Sequence, residues 1–174
     1  NAVLHPPLMI GNAGWIEATA GRFAIYHEGT GPALARLIEA VDTERRALAD
    51  RFGVPTATLV EHLRDAGYTT VEAAATGRVH AALQGSEAMG SVAAPATFDH
   101  RYLHEDVGWG LVPWLGLAHA CGSPAPIMEA ITTMASAIIV VWFTPARIVG
   151  RASGICTPSR RWRGLVPKAR LASI

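Results

Sequence analysis

The stretch His100-Arg101-Tyr102-Leu103-His104-Glu105-Asp106-Val107-Gly108-Trp109-Gly110-Leu111-Val112-Pro113-Trp114 decides how the rest of the chain is read. A guanidinium, a phenol, an imidazole, two carboxylates and an indole fall between Arg101 and Trp109, and an apolar run, Leu111 to Leu117, follows at once. This order predicts a loop that presents polar groups and then feeds a buried helix. Asp106, ahead of Val107-Gly108, stands where an N-cap is expected, its carboxylate accepting backbone N–H groups. The plainer reading is a helix start with solvated charges.

On both sides of this stretch the pattern is helical. Leu34, Leu37, Ile38, Val41, Leu48 and Phe52 recur at the spacing of one helix face, with Thr30 as the expected cap and Gly53-x-Pro55 as the stop. Glu39, Asp42, Glu44, Arg45 and Arg46 read as solvated positions with weak ion pairs. Pro7 is placed to open a helix after an extended Asn1–Leu4 piece, because a residue before proline is pushed away from helical angles. Phe23-Ala24-Ile25-Tyr26 has β character, and Glu28-Gly29-Thr30-Gly31 reads as a turn. Thr56 can cap the next helix, Thr70–Ala75 is a short one, and Arg78–Gly90 is ambiguous. From Ile127, the residues Ile131, Met134 and Ile138 form another stripe, and Met9, Met128 and Met134 read as core filler. Little β structure is expected. The expectation is an all-α domain of five to seven helices.

The chain has 174 residues, half of them hydrophobic, enough for one domain with a sizeable core. Its net charge of +1 hides an asymmetry. Residues 1–143 carry eight Lys/Arg against all 14 Asp/Glu, a balance of −6, and residues 144–174 carry seven Lys/Arg and no acid, +7. Two units are therefore expected: a helical body, 1–143, and a basic, poorly structured tail, 144–174. Two cysteines without motif spacing indicate neither a disulfide framework nor a zinc site. His100-x-x-x-His104 with Glu105 lacks a third ligand at a recognised spacing, so no metal is expected. The tail's Trp162 among arginines is too little for a nucleic-acid partner. Ile127–Phe143 is too short and too polar to span a membrane, and no signal peptide is seen, so a cytoplasmic protein is expected. Gly29-Thr30-Gly31 and Gly108-Trp109-Gly110 are not the G-x-G-x-x-G fingerprint of a dinucleotide-binding turn.

Several stretches together resemble the NAD(P)-dependent opine dehydrogenases, the octopine/nopaline dehydrogenase family. They are Asn1-x-x-x-His5-Pro6-Pro7 followed by Asn12, Tyr26-x-Glu28-Gly29-Thr30, Asp42-x-Glu44-Arg45, and Arg101-Tyr102-Leu103-His104-Glu105-Asp106 running into Gly110-Leu111-Val112-Pro113. The resemblance covers residues 1 to about 140, and the last motif is the most specific. It implies the helical C-terminal domain of such an enzyme, of the kind at the C-terminus of 6-phosphogluconate dehydrogenase, without the N-terminal Rossmann domain that binds the cofactor. It also implies reductive condensation of an amino acid with a 2-oxo acid such as pyruvate, using NADH or NADPH. By motif, His5 and Asp106 match the family's acid–base pair, and Arg101 matches the arginine that reaches the cofactor pyrophosphate. Asn12 and Trp109 are substrate-binding candidates. Two positions depart from the family: His104 stands where Thr is usual, and Gly108-Trp109 where Pro-Tyr or Pro-Trp is usual.

The chain is thus expected to be part of an oxidoreductase acting on CH–NH groups, inactive without its Rossmann partner. Its partners would be the amino acid and 2-oxo acid, with a homodimer allowed for. The competing expectation is a non-catalytic helical association module or a degenerate remnant.

Overall fold

The computed structural model describes the side chains of residues 1–140 and the backbone on to Ser153. It is a helical body without a sheet among the described residues; one isolated antiparallel bridge joins Ala24 to Ala93. The elements are α1 (His5–Gly11), α2 (Ala13–Thr19), α3 (Pro32–Arg51), α4 (Leu59–Asp65), α5 (Val71–Ala75), α6 (Val79–Gln84), α7 (Glu87–Gly90), α8 (Arg101–Asp106), a π-helical turn (Val107–Leu111), α9 (Val112–Cys121) and α10 (Pro126–Ser153).

α3 is the axis of the body, packing against α1, α6, α9 and α10. Its stripe buries Ala35, Ile38 and Val41 in one core with Leu8 and Met9 of α1, Leu83 of α6 and Met128 of α10, and Leu48 is buried further along. Burying a Leu, Ile or Met side chain stabilises the fold by about 1.5–3 kcal/mol. That gain, repeated along α3, outweighs the weak intrinsic stability of the short helices around it. Phe52, expected on the stripe, is 52% exposed at the C-cap, and Met134, read as core filler, is 51% exposed. Gly53 follows with φ +66°, a left-handed stop that suits glycine.

The acidic residues of α3 are not merely solvated. Glu39 Oε1 accepts the Val79 N–H at the start of α6, at 3.0 Å. Asp42 Oδ2 accepts the Leu59 N–H at the start of α4, at 2.9 Å. Glu44 accepts the N–H groups of Ile127 and Met128 in the first turn of α10, at 2.8 and 2.7 Å. Each carboxylate satisfies orphan donors and meets the positive end of a helix dipole. One helix therefore fixes the starts of three others.

Other starts also differ from expectation. Gly31, not Thr30, caps α3, and the Thr30 hydroxyl donates to Ile25 O. Thr58, not Thr56, caps α4, in a reciprocal box with Glu61. Arg78–Gly90 resolves into α6 and α7. Asn1–Leu4 is a turn rather than an extended piece: the Leu4 and His5 N–H groups both donate to Asn1 O. Burial of Ala2, Val3 and Leu4 outweighs the pre-proline bias, and Pro6 and Pro7 sit in the first turn of α1, where an amide hydrogen is not needed.

The largest correction falls on the central stretch. Its helix begins at Arg101, capped by His100, whose Nδ1 accepts the Tyr102 N–H at 3.3 Å. Leu103, Val107, Leu111 and Leu115, four residues apart and all buried, carry the helical face straight through the stretch read as a loop. Asp106 is the last residue of α8 and precedes the π turn with helical backbone angles, and its carboxylate makes no cap hydrogen bond there. Past it the backbone widens into the π turn, and Gly110 lies against Ala2; a β-carbon there would stand 2.4 Å from the Ala2 β-carbon. π turns inside helices are frequent at functional sites. α10 continues past residue 144 to Ser153, so the first part of the expected tail is helical in backbone. The rest of that expectation, 154–174, lies outside the described residues.

Candidate active site

α1 brings His5 and α8 brings Asp106 to one place. His5 is the first residue of α1, is 5% exposed, and its Nδ1 lies 2.6 Å from Asp106 Oδ2, across 101 residues of sequence. The carboxylate can only accept, so Nδ1 carries the hydrogen and the neutral ring keeps a lone pair on Nε2. That lone pair accepts from the Tyr26 hydroxyl at 2.8 Å. The Tyr26 oxygen in turn accepts from the Tyr102 hydroxyl at 2.9 Å. Tyr102, one helical turn before Asp106, also stacks on the His5 ring, with centroids 3.6 Å apart and planes 13° from parallel. The imidazole is thus fixed at both nitrogens and on one face.

Tyr26 belongs to a loop rather than a strand, and that loop is tightly held. The Glu28 carboxylate accepts the Ala24 N–H at 2.7 Å, the Gly29 N–H donates to Ala24 O, and Thr30 ties back to Ile25 O. The Ile25 N–H donates to Val92 O, and the Ala94 N–H to Phe23 O. Asn12 Nδ2 donates to both Gly29 O and Leu8 O, each at 2.9 Å. Gly29 is fitted to this clamp, since a β-carbon there would meet Ile25 O at 2.5 Å. Asn12, a substrate-binding candidate in the sequence, is buried with its amide nitrogen donating to two backbone carbonyls, Leu8 O and Gly29 O, rather than to His5 or Asp106.

Arg101 and Trp109 lie outside the hydrogen-bonded cluster. The Arg101 side chain is 58% exposed and donates through Nε and Nη2 to Glu105 Oε2, an i,i+4 pair that solvent weakens. Trp109, on the π turn, is 81% exposed. Both are open to a ligand or another domain. His104 Nε2 pairs with Asp99 Oδ1 at 2.8 Å. The two groups that sequence reasoning missed are Tyr26 and Tyr102, which had entered only as members of motifs. The available signal was their spacing: Tyr102 and Asp106 share a helix face once 101–106 is recognised as helix.

Burial holds the His5 imidazole below its ordinary proton affinity, and it outweighs the upward pull of the Asp106 bond. Burial, and secondly the Tyr102 hydrogen bond, push the Tyr26 phenol upward, so it stays protonated. His100 is lowered too, by burial first and then by the charges of His5 and Arg101. A lowered histidine has a defined consequence for stability. Between its folded value and about 6.5, the ordinary value, the unfolded chain binds more protons than the folded one. The stabilisation is complete above about 6.5 and is lost as pH falls through that window. Urea titrations at successive pH values should show it, and His5→Gln should flatten the slope below about pH 6.5. An unchanged slope would remove His5 from this account.

Gly110 links the π turn to the pair. Because its α-carbon hydrogens face the rigid Ala2 methyl, Gly110→Ala is expected to force α1 and the π turn apart. The cost should be about 1–3 kcal/mol in a denaturant titration, as for other overpacked sites.

Among the described residues the fold is helical, with a buried imidazole oriented by Asp106 and with Arg101 and Trp109 exposed. A family model described as the alpha-helical domain of NAD/NADP octopine/nopaline dehydrogenase matches residues 1–139. The opine dehydrogenase of Arthrobacter sp. (strain 1C) is 34% identical over 139 residues, 80% of this chain and 37% of that enzyme. The chain belongs to the octopine/nopaline dehydrogenase family and is its alpha-helical domain over those residues. It spans just over a third of that relative's length.

Proposed function

We propose that this chain is the substrate-binding and acid–base domain of an opine dehydrogenase, which joins the amino group of an amino acid to a 2-oxo acid and reduces the product. The observation that carries the reading is the 2.6 Å contact between buried His5 Nδ1 and the partly buried Asp106 Oδ2, on residues inside the matched family region. The neutral imidazole takes a proton from the substrate ammonium and so frees the attacking amine. The resulting imidazolium, stabilised by Asp106, returns that proton to the carbinolamine hydroxyl, which leaves as water. Asp106 fixes the tautomer throughout.

NADH or NADPH supplies the hydride that reduces the imine. Among the described residues there is no strand followed by a glycine-rich turn to cradle its phosphates. Arg101 fits the cofactor: its exposed guanidinium, held only by a surface pair with Glu105, can turn to a pyrophosphate and donate a fork of hydrogen bonds. The main cofactor contacts belong to a Rossmann domain.

The test joins this chain to the Rossmann domain of an opine dehydrogenase and follows NAD(P)H oxidation with pyruvate and a panel of amino acids. The joined protein should turn over at least one pair, and the chain alone should turn over none, because hydride transfer needs a positioned nicotinamide. Turnover by the chain alone would refute the division of labour. A folded, cofactor-binding joined protein that is inactive across the panel would refute the assignment.

A further inference from the structure

The geometry of the cluster raises a question of access. His5 is 5% exposed, its Nδ1 is engaged by Asp106 and its Nε2 by Tyr26, and one ring face is covered by Tyr102. Tyr26 is itself only 6% exposed. Substrate cannot touch the imidazole nitrogens while this arrangement stands. Tyr102 is partly exposed, and its oxygen, having donated its hydrogen to Tyr26, keeps lone pairs free to accept.

We propose that Tyr26 and Tyr102 form a proton relay that leads from buried His5 to the partly exposed Tyr102, with the Tyr102 hydroxyl as the group that exchanges protons with the substrate. The proposal rests on the acid–base role given to His5 above and deepens it.

The direction of the hydrogen bonds matches the first step. The substrate ammonium gives a proton to the Tyr102 oxygen; Tyr102 passes its own hydrogen to the Tyr26 oxygen; Tyr26 passes its own to His5 Nε2. Three O–H or N–H bonds form and three break, both phenols end neutral, and the charge comes to rest on the imidazolium beside Asp106. The reverse shift delivers the proton to the carbinolamine hydroxyl, which departs as water. Concerted hops avoid both a phenolate and a protonated phenol, and the raised proton affinity of Tyr26 disfavours the first of these. The Tyr102 ring performs a separate task, holding the imidazole plane by stacking, which a phenylalanine would also do.

That separation gives the test. Tyr26→Phe and Tyr102→Phe remove one oxygen each and keep the rings. In the joined protein each should lower kcat by about 10²–10⁴-fold, the usual worth of a positioned proton donor or acceptor, with KM nearly unchanged. Tyr68→Phe, at an exposed site outside the cluster, should match wild type. A second readout needs no activity: the rate at which His5 Nε2 gains and loses its proton, from ¹⁵N line broadening of the imidazole in the chain alone. Both variants should slow this exchange, whereas mere loosening of the fold would quicken it. If the wild-type joined protein is inactive, the functional reading fails while the exchange measurement still decides the relay. If it is active and Tyr102→Phe keeps full kcat, or if exchange is not slowed, the relay is overturned.

Discussion

His5→Ala in the joined protein is expected to lower kcat by about 10²–10⁴-fold, and Asp106→Asn is expected to fall in the same range. The first change removes the group that holds the proton. The second keeps the shape but replaces an acceptor-only carboxylate with an amide that can present N–H to Nδ1, so the ring loses the partner that fixes its tautomer and stabilises its cation. Because the two residues act as a unit, the double variant should cost little more than either alone. The effect should appear in kcat, since neither residue is needed to hold the nicotinamide. Asp50→Asn, on the exposed side of α3, should leave turnover unchanged. Full activity in His5→Ala, measured on protein that melts like wild type, would remove the pair from the chemistry.

The second large effect concerns the frame that holds the pair. Asp42 is 6% exposed and accepts from Arg45 at 2.7 and 2.9 Å and from the Leu59 N–H at 2.9 Å. Arg45 also donates to Ala57 O at 2.6 Å, so this one cluster fastens the α3–α4 loop and the start of α4. Asp42→Ala would leave a partly buried guanidinium without its carboxylate and a helix start without its acceptor. The expected cost is about 3 kcal/mol, the lower end for breaking a buried pair, because the Arg45 side chain keeps 19% of its exposure. In a chain of this length that corresponds to a fall in melting temperature of roughly 6–12 °C. Asp50→Ala, without such partners, should stay within about 0.5 kcal/mol of wild type. Comparable losses for the two variants would mean that α3 does not organise its neighbours as described.

The long helix α3 and its stripe were legible in the sequence because periodicity is a local signal, carried by Ile38, Val41 and Leu48. The roles of Glu39, Asp42 and Glu44 were not legible, because each caps a helix whose start lies 40, 17 or 83 residues further along. Charge on a helix surface looks the same whether it faces water or the end of another helix. Asp106 was misread as a cap because Gly108-Trp109-Gly110 resembles a break, while the face set by Leu103, Val107 and Leu111 runs on through a π turn. His5 and Asp106 were paired in the sequence only through family resemblance, since no local pattern spans 101 residues. Tyr26 and Tyr102 acquire a role only from the geometry that brings α1, α8 and the Tyr26 loop together.

That geometry makes one direct demand: the missing proton carrier must be replaceable by a free one. In the joined protein, His5→Gly leaves a space the size of the lost ring, bordered by Asp106, Tyr26 and Tyr102. Added imidazole should restore NAD(P)H oxidation to this variant in a saturable manner, and it should do little for Asp106→Asn, whose own ring is still in place. Wild-type turnover in His5→Gly without imidazole, or equal rescue of both variants, would contradict the claim that the His5 imidazole, oriented by Asp106, carries the proton.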